Sequence, residues 1–257
     1  GLKAVDEISD RQSSALALLL APGKISDMFK ALFKNDQAMT VVVSIILVYT
    51  SLNICGNLVL YFFRFDVGNE GAYSIFAAVA FAAQVLVMMV IPLLRKRFSK
   101  SQLFISGFII QIAGFAVILI MAFAKLYTPQ SWYILCLPGI LIYLGYGMLN
   151  VIMTIFLSDS VDYGEVMNGT REESVIFSMQ TFTVKLASGV AVFLAGLVVD
   201  WIHLDTAAAV QTQDTLDALR MWMTIPSVIL LIVGIFVFKR FYKLDDTRME
   251  EIKSKLN

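Results

Sequence analysis

One histidine, two cysteines and a charged fraction of only 16% leave this 257-residue chain poor in the residues that most soluble chemistry uses. His203 falls beside Asp205 in a polar stretch and reads as a solvated loop residue. Cys55 and Cys136 both lie in apolar segments, where a thiol behaves as a small hydrophobe, so no disulfide framework is expected and they inform neither redox state nor metal binding. No nucleophile–base or metal-ligand pair is visible, which disfavours an enzyme. Lys and Arg number 20 and Asp and Glu 20, with no basic block and no interleaving of basic and aromatic residues, so nucleic acid is set aside as a partner. The chain begins at Gly1 with a polar stretch that lacks the n-region and h-region of a signal peptide, and reads as a fragment.

What the chain has instead is apolar length. Hydrophobic residues make up 58% and the mean hydropathy is +0.77, far from the norm of soluble domains. Six stretches reach the roughly 20 residues a helix needs to cross a bilayer: Met39 to Phe63, Ala72 to Leu94, Leu103 to Ala124, Tyr133 to Ser158, Val175 to Trp201 and Leu219 to Phe241. They are too long and too continuously apolar for barrel strands, so the class is an all-α membrane protein.

The turn between the second and third spans carries Arg95, Lys96, Arg97 and Lys100 without an acid, and the positive-inside rule places it in the cytoplasm. Both chain ends and the fourth-to-fifth turn then fall on the same side. Three regions are expected: a cytoplasmic connector over 1–38, a transmembrane bundle over 39–241 and a cytoplasmic tail over 242–257, which is a short charged helix or disordered. Within the connector, Ile25, Met28, Phe29, Leu32 and Phe33 repeat at helical spacing with lysines around them, the pattern of a helix lying on the membrane surface.

Lys185 stands well inside the fifth span, where an unpaired cation costs several kcal/mol. Ser174, Ser178, Thr181, Lys185 and Ser188 recur at steps of four and three, forming one polar stripe. Hydroxyls alone read as helix-packing glue, whereas the lysine needs water, an acid or a polar ligand. Similar stripes run along the first span (Thr50, Asn53, Asn57, Tyr61) and the fourth (Tyr143, Tyr146 or Gly147, Asn150, Thr154), so three helices are expected to converge on a polar cavity. Asn amides and Tyr rings suit a polyhydroxylated ligand. Gln84, isolated in the second span, reads as packing.

At the end of the fourth span, Asp159, Asp162 and Glu165 are spaced by three and need a cationic partner, for which Arg171 is the nearest local candidate. No histidine or glycine-bearing calcium loop accompanies them, so no metal site is expected. Asn168-Gly169 favours a tight turn, and Thr170 with Glu173 forms a capping-box pattern opening the fifth helix. The glycosylation sequon at Asn168 is read as coincidence on a cytoplasmic loop.

The ordered run Asp159-Ser160-Val161-Asp162-Tyr163-Gly164-Glu165, Gly169-Thr170-Arg171-Glu172-Glu173 and Gln180-Thr181-Phe182-Thr183-Val184-Lys185 resembles the glycoside-pentoside-hexuronide:cation symporters, the melibiose permease group. The segment from Leu93 to Gly107 is also similar to that family's loop. The likeness runs from Lys24 to about Lys243 and corresponds to the C-terminal six helices of a twelve-helix major facilitator fold. It implies symport of a sugar or glycoside with Na+ or H+ by alternating access, with no cofactor beyond the coupling cation. It also implies an N-terminal six-helix half as partner, a bilayer, and location in the cell membrane.

In that family the lysine matching Lys185 lies at the sugar and cation sites, with the residues matching Gln180, Thr181 and Val184 close by. Asn53, Asn57, Tyr146 and Asn150 complete the candidate sugar face. Asn150 stands where the melibiose carrier has a sugar-facing Trp, which argues against melibiose itself. Asp159, Asp162, Glu165, Arg171 and Glu173 are expected to form a cytoplasmic charge network that shuts the inner gate. The cation-binding acids of the family lie in the other half. A lipid or lysolipid carrier on the same scaffold, and a six-helix channel or scaffold, are the alternatives.

Overall fold

The computed structural model describes Lys30 and residues 32–256, and every regular element among them is helical. α1 (Asp36–Tyr61) continues through a π-helical turn (Phe62–Val67). α2 (Ala72–Leu94) and α3 (Lys100–Phe123) follow, and a 3-10 turn (Trp132–Leu135) leads into α4 (Cys136–Asn168). α5 (Glu173–Trp201), α6 (Gln213–Phe241) and the short α7 (Asp246–Leu256) complete the chain. The six helices α1 to α6 are long and apolar enough to cross a membrane.

Their ends overrun the apolar stretches wherever polar groups find partners. α1 opens three residues before Met39 because Asn35 caps it, accepting from the Ala38 amide at 2.9 Å, while its own amide donates to the Ser160 carbonyl at 2.7 Å. α4 runs past the expected end at Ser158 to Asn168, since its acids meet cations and Tyr163 packs on α7. Gly169, at φ +73°, then stops the helix in the left-handed conformation and donates to the Glu165 carbonyl at 2.9 Å. The Thr170–Glu173 capping box does not form. Glu173 instead accepts from Arg171 at 3.1 Å, and a charge-assisted bond outcompetes the reciprocal cap.

α1 and α4 occupy the centre. α1 packs against α5 and α6, α4 against α2 and α3, and α1 also meets α4 while α3 meets α6. The first helix of each three-helix set thus rests on the second and third helices of the other, the internal-repeat plan common among transporters. Aromatic rings fill the core: Phe104 lies 4.5 Å from Phe238 and 5.2 Å from Phe156, centre to centre. At the α3–α4 crossing a Cβ on Gly145 would stand 2.5 Å from the Gly107 carbonyl oxygen, so the backbones touch there. Close approach of this kind maximises dispersion where no hydrophobic effect drives helices together.

α2 and α5 flank this core and turn much apolar surface outward, including Phe81, Leu86 and Met89 on α2 and Val192 and Phe193 on α5. The tail is helical rather than irregular: Leu244, Met249 and Ile252 bury against Tyr163, Val166 and Tyr242. Of the expected amphipathic connector, Ile25, Met28 and Phe29 lie outside the described residues, whereas Leu32 is buried and Phe33 exposed.

Candidate functional site

Residues spaced four apart on α1 present Tyr49, Asn53 and Asn57 on one face. The Asn53 amide donates to the Tyr49 carbonyl and the Asn57 amide to the Asn53 carbonyl, each at 2.7 Å. From α4, the Asn150 amide donates to the Tyr49 hydroxyl at 2.7 Å, and the Tyr146 ring meets the Tyr49 ring edge-on at 5.5 Å. Tyr143 adds a third ring 6.4 Å from Tyr146. Gly147 is not part of this face, since it packs against Gln84 and Val87 of α2. Thr50 also departs from it and lines an apolar groove with Leu194 and Trp222. Thr154 is exposed and its hydroxyl donates to the Asn150 carbonyl.

α5 joins at one point: the Ser188 hydroxyl donates to the Asn53 side-chain oxygen at 3.4 Å. Above it, a groove of about 550 Å³ between α1 and α5 is lined by Asn57, Tyr61, Phe193, Gly196 and Asp200. Asp200 was not anticipated, although it sits within the apolar stretch that ends at Trp201.

Lys185 lies elsewhere on α5. The helix packs through Ile176, Met179, Thr183, Ala187, Ala191, Ala195 and Val198. At about 100° per residue, Lys185 is roughly 160° round the helix from Thr183 and Ala187. It is exposed and forms no hydrogen bond or ion pair among the described residues. Ser174, Ser178 and Thr181 share its outward face, and the Thr181 hydroxyl donates to the Phe177 carbonyl at 3.2 Å. Gln180 and Val184 sit half-buried on the flank. α1 and α4 therefore converge, Ser188 touches Asn53 of α1, and Lys185 looks out from the six helices.

The end of the bundle that carries the α2–α3 turn holds two charge groups. Arg171 donates to Glu165 at 2.8 Å, to Asp162 at 3.1 Å and to Glu173 at 3.1 Å. These bonds, led by Glu165, raise the guanidinium pKa above its ordinary value. Asp159 does not take part in that group. It is buried in the body of α4 and pairs with Lys100, the first residue of α3, whose charge at a helix N-terminus needs that carboxylate. Asp246 of α7 lies 3.4 Å from both Lys100 and Arg95. Burial pushes its carboxyl up, but Lys100 and Arg95 more than offset this and hold it below the ordinary value.

A second buried cluster at the opposite end was missing from the sequence reading. Arg220 of α6 grips Asp66 of the π-helical turn through two nitrogens, with Nε at 2.9 Å, and donates to Asp217 at 2.6 Å. The Tyr127 hydroxyl donates to Asp66 at 2.6 Å, so the α3–α4 connection is tied in as well. Burial first, then Asp66, raises the Tyr127 pKa. The sequence signal was Arg220 itself, one residue inside the apolar stretch from Leu219. Among the described residues no cluster of three or more metal-ligating side chains occurs.

A family model described as MFS/sugar transport protein matches residues 19–246. The uncharacterized symporter YjmB of Bacillus subtilis is 25% identical over 233 residues, covering 91% of this chain and 49% of its own length. The raffinose carrier protein of Pediococcus pentosaceus is 23% identical over 234 residues, with 90% and 35% covered. The isoprimeverose transporter of Lactiplantibacillus pentosus is 25% identical over 223 residues, with 86% and 44% covered. The chain thus spans half or less of the length of these relatives.

Proposed function

Because the chain belongs to the MFS/sugar transport protein family, a family of transporters rather than enzymes, we propose that its six helices form half of a twelve-helix carrier for a sugar or glycoside. Multi-pass membrane insertion follows from the six apolar helices and the family together. Transport in this reading runs by alternating access in the cell membrane, driven by entry of Na+ or H+. The end with the basic α2–α3 turn faces the cytoplasm.

The observation that carries the reading is Lys185. An exposed cation with no partner among the described residues, on the outward face of α5 that it shares with Ser174, Ser178 and Thr181, fits a site completed by a second six-helix half that brings the acids. Gln180, Thr181 and Val184 border that site. Tyr49, Asn53, Asn57, Tyr146 and Asn150 supply donors, acceptors and ring faces for a sugar, and the similarity to a raffinose carrier and an isoprimeverose transporter supports that substrate class. Arg171 with Asp162, Glu165 and Glu173, and Lys100 with Asp159, serve as the inner gate, where a rearranging charge network switches between two states.

The test is uptake of radiolabelled raffinose and isoprimeverose by a carrier that contains this chain and a second half, with and without Na+ or a proton gradient. Lys185→Ala should abolish accumulation while membrane insertion is kept. Normal coupled accumulation in the variant would refute the assignment.

A further inference from the structure

At the basic-loop end, α1 and α6 leave a groove of about 560 Å³ whose rim is charged and whose walls are apolar apart from Thr40, whose hydroxyl already donates to the Asp36 carbonyl at 2.8 Å. Arg240 and Lys243 stand at the rim, Phe33 and Phe241 beside them, and Met39, Val43 and Val237 line the descent. We infer that this groove binds an anionic phospholipid from the surrounding bilayer, its phosphate held by Arg240 and Lys243 and one acyl chain lying along Met39, Val43 and Val237.

The rim is built rather than accidental. Gln37, 1% exposed, accepts from the Lys243 amide at 2.8 Å and donates to the Phe241 carbonyl at 3.4 Å, pinning the end of α6 to the start of α1. Arg240 rests its guanidinium over the Phe241 ring at 5.5 Å. Neither Arg240 nor Lys243 forms an ion pair among the described residues, although each carries a charge that such a rim would otherwise neutralise. Asp36 is the one carboxylate lining the groove, and it already accepts from the Gln37 amide at 2.8 Å. Two cations against one engaged acid favour an anion.

The walls say which anion. Val43 lies seven residues beyond Asp36 on α1, about 10 Å along the axis at 1.5 Å per residue. That depth matches the passage from headgroup to acyl layer, so a soluble anion would fill the rim and leave the walls uncovered. Basic pockets between membrane helices bind lipid phosphates, each cation contributing about fivefold in affinity.

Native mass spectrometry of the full chain, released from nanodiscs of equal phosphatidylglycerol and phosphatidylcholine, tests this. Phosphatidylglycerol should be retained preferentially. Arg240→Gln with Lys243→Gln should cut retention about 25-fold, Val43→Trp should cut it with both cations in place, and Asp36→Asn should raise it. Unchanged retention in the double variant, or equal retention of the two lipids, overturns the inference. Displacement by millimolar inorganic phosphate would make it a soluble-anion site and overturn it too. So would a Val43→Cys cross-link to residues before Lys30 in place of bound lipid, since the chain itself would then fill the groove.

Discussion

Arg220 on α6 and Lys185 on α5 each place a cation inside an apolar helix, but their surroundings differ. Arg220 is 3% exposed and grips Asp66 and Asp217, while Lys185 is exposed and has no partner among the described residues. A charge in a membrane segment costs several kcal/mol unless paired or wet. Where the partners are in the same six helices, the charge is part of the scaffold. Where they are not, as at Lys185, the charge fits the proposed second half.

The largest effect should come from breaking the paired charge. Arg220→Ala leaves Asp66 buried and uncompensated, and should destabilise the bundle by about 3–5 kcal/mol in thermal unfolding in detergent. Arg220→Leu combined with Asp66→Leu should recover most of that loss; an unaltered melting temperature in the single variant would erase the contrast with Lys185. Asp159→Asn should cost somewhat less, about 3 kcal/mol, because Lys100 keeps Asp246 at 3.4 Å.

A smaller effect should follow pH at α7. The Asp246 carboxyl is held below its ordinary 3.8, so its attachment to Lys100 and Arg95 is fully present above that value and weakens as pH falls through the lower folded value. A spin label placed at Ile252→Cys should become mobile only in that acid range, while release on going above neutrality would contradict the sign. The smallest effect should be that of Lys185→Ala on stability, within about 0.5 kcal/mol. A large loss would mean that the lysine is scaffold after all, and would sharpen the comparison in the opposite direction.

Span number and helical class were legible because about 20 apolar residues in a row leave few alternatives in lipid. Span ends were less so: Asp36 lies before the apolar stretch that starts at Met39, and the run from Asp159 to Glu165 lies beyond the one that ends at Ser158. Asp66 and Arg220 are 154 residues apart and Lys100 and Asp159 are 59 apart, so no local pattern joins them. Within the candidate site, the four-residue spacing of Asn53, Asn57 and Tyr61 was readable, whereas Tyr49 was missed and Thr50 stood in its place. That Asn150 reaches the Tyr49 hydroxyl, and that Lys185 turns away from α1, depends on how three helices rotate against one another.

By itself, then, the sequence determined what solvation decides: which segments must be helices, how many cross the bilayer, and which residues lie on a polar stripe. These follow from the cost of exposing backbone groups and charges to hydrocarbon. Tertiary structure decided which charge meets which. Packing is set by close contacts such as Gly145 against the Gly107 carbonyl, and those fix helix rotation and bring together residues far apart in the chain. Through that rotation Asp159 belongs to Lys100, Asp66 to Arg220, and Lys185 to nothing among the described residues of these six helices.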